Sequence, residues 1–361
     1  MQHLIPPHIQ RMVPYVAGKT TAELQREYGI EHPIKLASNE SPFGMSPQAR
    51  TALTEASDGL HRYPDPNAYD LRHSLAKHYE VLPEEVAVGN GSNELLDIAC
   101  RTFASSEHHA VFGTPSFVCY RLGCIAANVP YTEVPLREHL YWNVDDLLQA
   151  VRPDTSLMFV ANPNNPTGTH MPEAALRTLV TELPPHVLLV VDEAYVEFAD
   201  APDFVSALNL RHLRKRLAVT RTFSKAHGLA ALRVGYLIGT PDAVELINRV
   251  RAPFSCNMLG QIAARASLRD VDHLNRYLAM NAAQREALTR GLEQMGLRVA
   301  RSQTNFVLVQ VGSSGRDVYE RLLRSGIIVR PMSPPIEEWI RISVGLPGEN
   351  ESLLATLPQV L

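Results

Sequence analysis

This chain of 361 residues lacks the features that mark several classes of protein. Its net charge is −4, so it carries no excess of basic residues of the kind that binds nucleic acid. No uninterrupted apolar run is long enough to cross a bilayer. The first nineteen residues contain Pro6, Pro7 and Pro14 but no apolar segment typical of a secretory signal. The sequence therefore predicts a cytoplasmic protein that acts on neither nucleic acid nor membranes.

Cysteine is also scarce, and the four cysteines do not show the spacing of a zinc site. Such usage is typical of a reducing compartment, and it predicts no metal centre. Hydrophobic residues make up 45% of the chain and charged residues 20%, a balance typical of a globular protein. The length exceeds that of one ordinary core and indicates two domains, or one large α/β domain with an appendage.

Short β-branched runs alternate with helical patterns through the middle of the chain. This alternation predicts a mostly parallel sheet covered by helices on both faces. The run at 187–191 is apolar throughout, as expected for a central strand buried on both sides. The predicted strands are 86–88, 110–112, 157–160, 187–191, 217–222 and 234–238.

The pattern changes after about residue 252. Helical periodicity extends over 258–295, and strand-like segments follow at 306–311, 327–330 and 340–344, with a helix near 318–323. These elements predict a smaller α+β unit. The predicted organisation is an N-terminal arm (1–35), a large α/β domain (36–252) and a small C-terminal domain (253–361).

Four predicted strands end in polar segments that could form one site, because ligands of open α/β sheets bind beyond the carboxyl ends of the strands. Residues 91–93 precede a predicted helix and could cradle a phosphate with their N–H groups, and Arg233 could clamp it. Asp192 ends a buried strand, where a carboxylate is costly unless it is paired, and a protonated pyridine nitrogen would be such a partner. Lys225 could form a Schiff base with an aldehyde. The polar segments are 89–94, 162–168, 192–195 and 220–225.

These segments resemble fold-type I pyridoxal-phosphate (PLP) enzymes and, within them, the histidinol-phosphate aminotransferase family. The resemblance extends over nearly the whole chain and implies an α/β fold-type I PLP-transferase. Its large domain would hold a mostly parallel, seven-stranded sheet, and its small C-terminal domain would be α+β. The similar motifs lie at 14–19, 35–44, 62–65, 162–168, 192–195, 224–225 and 339–345.

The resemblance also implies roles for the matched residues. Lys225 would hold PLP and carry the proton between substrate and cofactor, while Asp192 would keep the pyridine nitrogen protonated. Tyr195 and Asn165 would contact the phenolic oxygen of the cofactor, and Phe117 would stack on its ring. The residues implied at its phosphate are Gly91, Ser92, Asn93, Thr222, Ser224 and Arg233, with Tyr63 from the second subunit of a homodimer.

The residues implied at the substrate are Tyr15, Asn39, Arg330 and Arg341. Arg341 would hold the carboxylate of the amino acceptor, 2-oxoglutarate. Tyr15, Arg330 and Arg341 would hold the phosphate of the amine donor, histidinol phosphate. The expected reaction is therefore a transamination in histidine biosynthesis.

Three positions depart from the family pattern: Phe117 stands where Tyr is more usual, His227 where Phe or Tyr is expected, and Ala231 where Gly is usual. His227 could lie near the pocket wall and bear on the choice of amine donor. Three alternatives therefore stay open at this point. They are an aromatic-amino-acid aminotransferase, a PLP decarboxylase of a phosphorylated amino acid, and a non-catalytic regulator that uses the same domain.

Overall fold

The computed structural model describes residues 4–14, 18–312 and 314–361, which form helices and strands in alternation. The strands in chain order are β1 (Ile34–Lys35), β2 (Val86–Gly89), β3 (His109–Thr114), β4 (Tyr131–Pro135), β5 (Thr155–Ala161), β6 (Leu188–Asp192), β7 (Leu217–Thr222), β8 (Gly235–Ile238), β9 (Arg298–Val299), β10 (Phe306–Gln310), β11 (Ile327–Ile328), β12 (Arg330–Pro331) and β13 (Trp339–Ser343). The helices are α1 (Pro7–Gln10), α2 (Thr21–Tyr28), α3 (Pro47–Ala56), α4 (Tyr69–Tyr79), α5 (Ser92–Phe103), α6 (Cys119–Ala126), α7 (Val144–Gln149), α8 (Glu173–Glu182), α9 (Pro241–Val250), α10 (Met258–Arg269), α11 (Val271–Gln294), α12 (Gly315–Arg324) and α13 (Pro347–Val360). In the described part of the chain, no helix is both long and apolar enough to cross a membrane.

The large sheet has seven strands in the order β2-β8-β7-β6-β5-β3-β4, and β8 alone runs antiparallel to its neighbours. This confirms the predicted mostly parallel, seven-stranded sheet. Strand β6 is buried along its whole length because helices cover both faces. Val190 packs with α5, α6 and α9 on one face, whereas Val191 packs with α7 and α8 on the other. The absence of alternation in this run therefore has the predicted cause.

The secondary structure differs from the sequence-based expectation at several points. Strand β4 was not predicted, because at the edge of the sheet it buries only Val134 and so lacks an apolar run. The helical pattern over 258–295 divides into α10 and α11. Asp270 separates these helices and caps the second by accepting a hydrogen bond from the N–H of His273. Hydrophobic periodicity alone does not mark such a break.

The C-terminal strands form an antiparallel sheet in the order β12-β13-β10-β9, against which α11, α12 and α13 pack. The predicted strand at 327–330 is two short strands in different sheets, since β11 pairs in parallel with β1 and β12 pairs with β13. Leu24 of α2 and Leu36 lie in the same core, so the N-terminal segment packs on the C-terminal elements of its own chain. Helix α10 follows the predicted domain boundary at residue 252 but packs on α3 and α4, which precede it. The boundary therefore stays a prediction.

Gly228, in the loop after β7, lies close against the backbone of the N-terminal part of the chain. Its φ is +67°, and a Cβ there would lie 2.3 Å from the carbonyl oxygen of Gly44. Gly29 has nearly the same φ, +68°, but a Cβ there would meet nothing within 4 Å. The two glycines therefore separate the cost of a left-handed backbone from the cost of a backbone clash.

We expect Gly29→Ala to lower the free energy of unfolding by about 1–2 kcal/mol, the cost of a left-handed conformation for an L-residue. Gly228→Ala should lower it by about 1–3 kcal/mol more, because the new methyl group has to displace the backbone at Gly44. Urea titration of both variants measures the difference. Equal loss in the two variants would show that the loop at 44–45 moves away at no cost.

Candidate active site

Most of the predicted site residues line one cavity of about 270 Å³. It lies at the carboxyl ends of β5, β6 and β7, with β12 and β13 forming another part of its wall. The strand register brings these ends together, because Asp192 is paired with Thr220 on one side and Ala161 on the other. The predicted residues that line the cavity are Asn39, Ser92, Asn93, Phe117, Asn165, Asp192, Tyr195, Thr222, Ser224, Lys225, Arg233, Arg330 and Arg341.

Asp192 is a buried carboxylate held by neutral hydroxyl groups. It is 4% exposed; the Tyr120 hydroxyl donates to its Oδ2 at 3.0 Å and the Thr220 hydroxyl to its Oδ1 at 3.1 Å. Burial raises the pKa of Asp192 to about 6, although these hydrogen bonds act in the opposite direction. A buried carboxylate in these surroundings is suited to a cationic partner in the cavity.

Lys225 follows β7 and is the one lysine among the described residues that line the cavity. Its Nζ donates to the carbonyl oxygen of Ser38 at 3.2 Å and lies 5.9 Å from the centre of the Tyr195 ring. Burial, together with the positive charge of Arg341, lowers the pKa of Lys225 to about 8. Much of its amine is therefore neutral in mildly basic solution and can attack an aldehyde.

One end of the cavity is suited to an anion. Helix α5 begins at Ser92, directly after Gly91, whose φ is +82°. A Cβ at Gly91 would lie 2.6 Å from the guanidinium of Arg233, so glycine permits this close approach. Arg233 donates to the hydroxyl of Ser224 at 3.3 Å, and Thr222 donates to the same hydroxyl at 3.0 Å. A helix N-terminus, a guanidinium and two hydroxyls together can bind a phosphate.

The polar residues of the opposite wall contact one another. The hydroxyl of Tyr195 accepts a hydrogen bond from the side-chain amide of Asn39 at 2.9 Å. The oxygen of the Asn165 side chain accepts one from Arg341 at 2.6 Å. Phe117 also faces the cavity, and its ring meets the ring of Tyr120 edge-on at 5.8 Å. These contacts hold in place the side chains that are predicted to surround a cofactor ring.

Arg330 and Arg341 are direct cross-strand partners in β12 and β13, which places their side chains on the same face of the small sheet. Arg341 also donates to the carbonyl oxygen of Ala37 at 2.9 Å. The acidic residues lining the cavity are Asp192 and Glu40, and Glu40 is paired with Lys35 at 2.8 Å. With Lys225 and Arg233, basic side chains outnumber acidic ones, so the cavity attracts anions.

Among the described residues that the sequence singled out for the site, Gly91, Tyr63 and His227 do not line this cavity. Tyr63 is 81% exposed and stacks on Phe254 at 4.7 Å, so its contribution to a partner's site stays a prediction. Tyr15 lies outside the described residues. His227 is buried and hydrogen-bonds through its Nδ1 to the hydroxyl of Ser267 at 2.9 Å, and burial lowers its pKa to about 4. It is therefore a neutral residue of the interior and does not form the pocket wall.

The chain matches the family model of class I and II aminotransferases over residues 31–357. It is 43% identical over 360 residues to a histidinol-phosphate aminotransferase of Anaeromyxobacter sp. (strain Fw109-5), covering 99% of each chain. It is 41% identical to histidinol-phosphate aminotransferase 2 of Ralstonia nicotianae, covering 99% of this chain and 96% of the relative. The crystal structure of histidinol-phosphate aminotransferase from Sinorhizobium meliloti, in complex with pyridoxal-5'-phosphate, has a TM-score of 0.91 at 31% identity and covers 99% and 97% of the two chains.

The chain belongs to the histidinol-phosphate aminotransferase family, within the class I and II aminotransferases. The family and the fold type expected from the motifs are thereby confirmed. In this aminotransferase, sequence analysis missed the residues that hold Asp192. Thr220 could be identified only from the register of β6 and β7, and Tyr120 only from the packing of α6 against the sheet.

We expect ionisation of Asp192 to make the cofactor-free aminotransferase less stable as the pH rises. The folded pKa of about 6 exceeds the ordinary 3.8, so folding favours the protonated carboxyl. The stability from this proton is fully present below about pH 3.8 and is lost as the pH rises through about 6. Asp192→Asn removes this dependence. The free energy of unfolding of the variant, relative to wild type, should rise by about 2 kcal/mol between about pH 4.5 and about pH 7.5. Parallel pH profiles in urea titrations would contradict the account of Asp192.

Proposed function

We propose that this aminotransferase moves the amino group of histidinol phosphate to 2-oxoglutarate, with PLP as its cofactor, in histidine biosynthesis. The observation that carries the proposal is that Arg330 and Arg341 are cross-strand partners in the same cavity as Lys225. A buried phosphate dianion requires cations, preferably forked guanidinium groups. The names of the Anaeromyxobacter and Ralstonia nicotianae relatives support the same donor.

The residues of the cavity fit PLP at three points. Asp192 fits the protonated pyridine nitrogen, because it is a buried carboxylate whose hydroxyl partners are neutral. Lys225 fits the aldehyde, because its amine has a lowered pKa. The start of α5, with Ser224 and Arg233, fits the phosphate, because it presents N–H groups and positive charge. Gly91, Asn93 and Thr222 complete this anion site.

When bound, PLP supplies an aldehyde for the amino group of the donor and a ring that accepts electron density from the donor Cα. Lys225 acts as the general base and acid that takes and returns the proton at that Cα. Asp192 keeps the ring nitrogen protonated. The hydroxyl of Tyr195 accepts a hydrogen bond from Asn39, and Tyr195 and Asn165 both line the cavity where the phenolic oxygen of the cofactor would lie. Phe117 offers an aromatic face for stacking.

The proposal includes both substrates and a second subunit. Histidinol phosphate and 2-oxoglutarate both carry anionic groups at their distal ends, which Arg330 and Arg341 can bind in turn. Tyr15 and Asn39 complete the predicted substrate site. The exposed aromatic pair of Tyr63 and Phe254 suits a surface that a second copy of the chain covers in a homodimer with shared sites. The cytoplasm is the proposed location.

We expect Lys225 to be the residue that binds PLP covalently. Treatment of the protein with PLP and then borohydride, followed by peptide mapping, should place the reduced label on Lys225. Lys225→Ala should carry no label and should lose turnover. Lys35→Ala is the matched control, because Lys35 is another lysine near the cavity but is paired with Glu40. A label on any lysine other than Lys225 would overturn the site assignment.

Arg330→Leu tests the choice of donor. We expect it to lower kcat/KM for histidinol phosphate at least about tenfold, or about 1.4 kcal/mol, and to leave phenylalanine use nearly unchanged. Arg324→Leu makes the same change at the exposed end of α12 and should leave kcat/KM for both donors unchanged. If the wild-type protein prefers phenylalanine or tyrosine to histidinol phosphate, it is instead an aromatic-amino-acid aminotransferase.

A further inference from the structure

We propose that Tyr120 is a positioning residue of the active site, whose hydroxyl, with that of Thr220, keeps the Asp192 carboxylate ionised and fixed in place. This inference rests on the proposed function, because the cation that Asp192 would meet is the ring nitrogen of PLP. Each hydroxyl donates to a different oxygen of the carboxylate, at 3.0 Å from Tyr120 and 3.1 Å from Thr220. Both oxygens are therefore held, which restricts rotation of the carboxylate.

The position of the Tyr120 hydroxyl is determined by packing. The side chain is fully buried, and its ring stacks on Phe159 with the centroids 4.9 Å apart and the planes 2° from parallel. Phe159 belongs to β5, the strand next to β6, so the tyrosine bridges helix α6 and the sheet. Phe117, which lines the cavity, also contacts this ring, with the two ring planes nearly perpendicular. Tyr120 thus contacts both Asp192 and an aromatic wall of the cavity.

The ionisation of Asp192 depends on these neutral donors. The other described groups that act on this carboxylate are Glu193 next to it and Cys119 on α6, neither of which is a cation, and the backbone N–H of Ala194, which donates a hydrogen bond to it. Burial opposes the charge, while hydrogen bonds to the charged form favour it. Burial and the neighbouring carboxylate also raise the pKa of Tyr120 well above its ordinary value, so its hydroxyl remains a donor. Loss of one donor would raise the pKa of Asp192 further, toward a neutral acid that cannot pair with a pyridinium.

The test compares wild type with Tyr120→Phe, which keeps the ring packing and removes only the hydroxyl. Cofactor-free protein is titrated with PLP and with an analogue in which a carbon atom replaces the ring nitrogen. We expect Tyr120→Phe to raise the Kd of PLP about tenfold, as for a lost hydrogen bond to a charged group, and to leave the Kd of the analogue unchanged. The difference between the two ligands isolates the contact with the nitrogen from any general structural damage.

Two sets of control variants sharpen the comparison. Tyr236→Phe removes another buried hydroxyl of the same sheet, bonded to Tyr79 at 2.6 Å, and should change neither Kd. Thr220→Val should reproduce the effect of Tyr120→Phe, whereas Thr220→Ser, which retains the hydroxyl, should restore most of the affinity for PLP. Equal weakening of both ligands in Tyr120→Phe, or no weakening of PLP, would overturn the inference alone. A wild-type protein that does not bind PLP would overturn the proposed function as well.

Discussion

The carboxylate of Asp192 lies at the point where the parallel strands of the large sheet end. It is buried where strands β5 and β7 flank β6 in register and where helix α6 supplies a hydroxyl. The same register places Thr222 and the segment carrying Lys225 beside it. The proposed catalytic groups are therefore arranged by strand pairing, and loop conformation has only to complete the arrangement.

The charged residues of the cavity lie on different elements according to their type. The buried acid lies at the end of β6, the lysine with a lowered pKa follows β7, and the arginines lie at the start of α5 and on the small sheet. Burial and, after it, the charge of Arg341 lower the pKa of Lys225, and Arg341 also lies beside Arg330. A guanidinium that we propose binds anionic substrates thus also favours the neutral, reactive form of the lysine. Binding and reactivity are coupled through one guanidinium.

Much of this arrangement could be predicted from the sequence, because each buried strand is a continuous apolar run and each ends in polar residues. Strand β4 could not be, because an edge strand with one buried residue carries no such run. The separation of 327–330 into two strands was also beyond prediction, since it depends on which distant strands pair with each half. For the same reason the partners of Asp192 were missed. Residue types at strand ends can be read locally, but hydrogen bonds between elements depend on register and packing.

The pairing partners of the N-terminal segment determine when the site can be completed as the chain is synthesised. Ile34 and Lys35 pair with residues 327–328, and the N–H of Ser343 donates to the carbonyl oxygen of Leu36 at 2.8 Å. Ser38 and Asn39, which contact Lys225 and Tyr195, lie directly after this pairing. The early segment can therefore take up its place only after the last strands have left the ribosome. A nascent chain that already has its large sheet still lacks one wall of the active site.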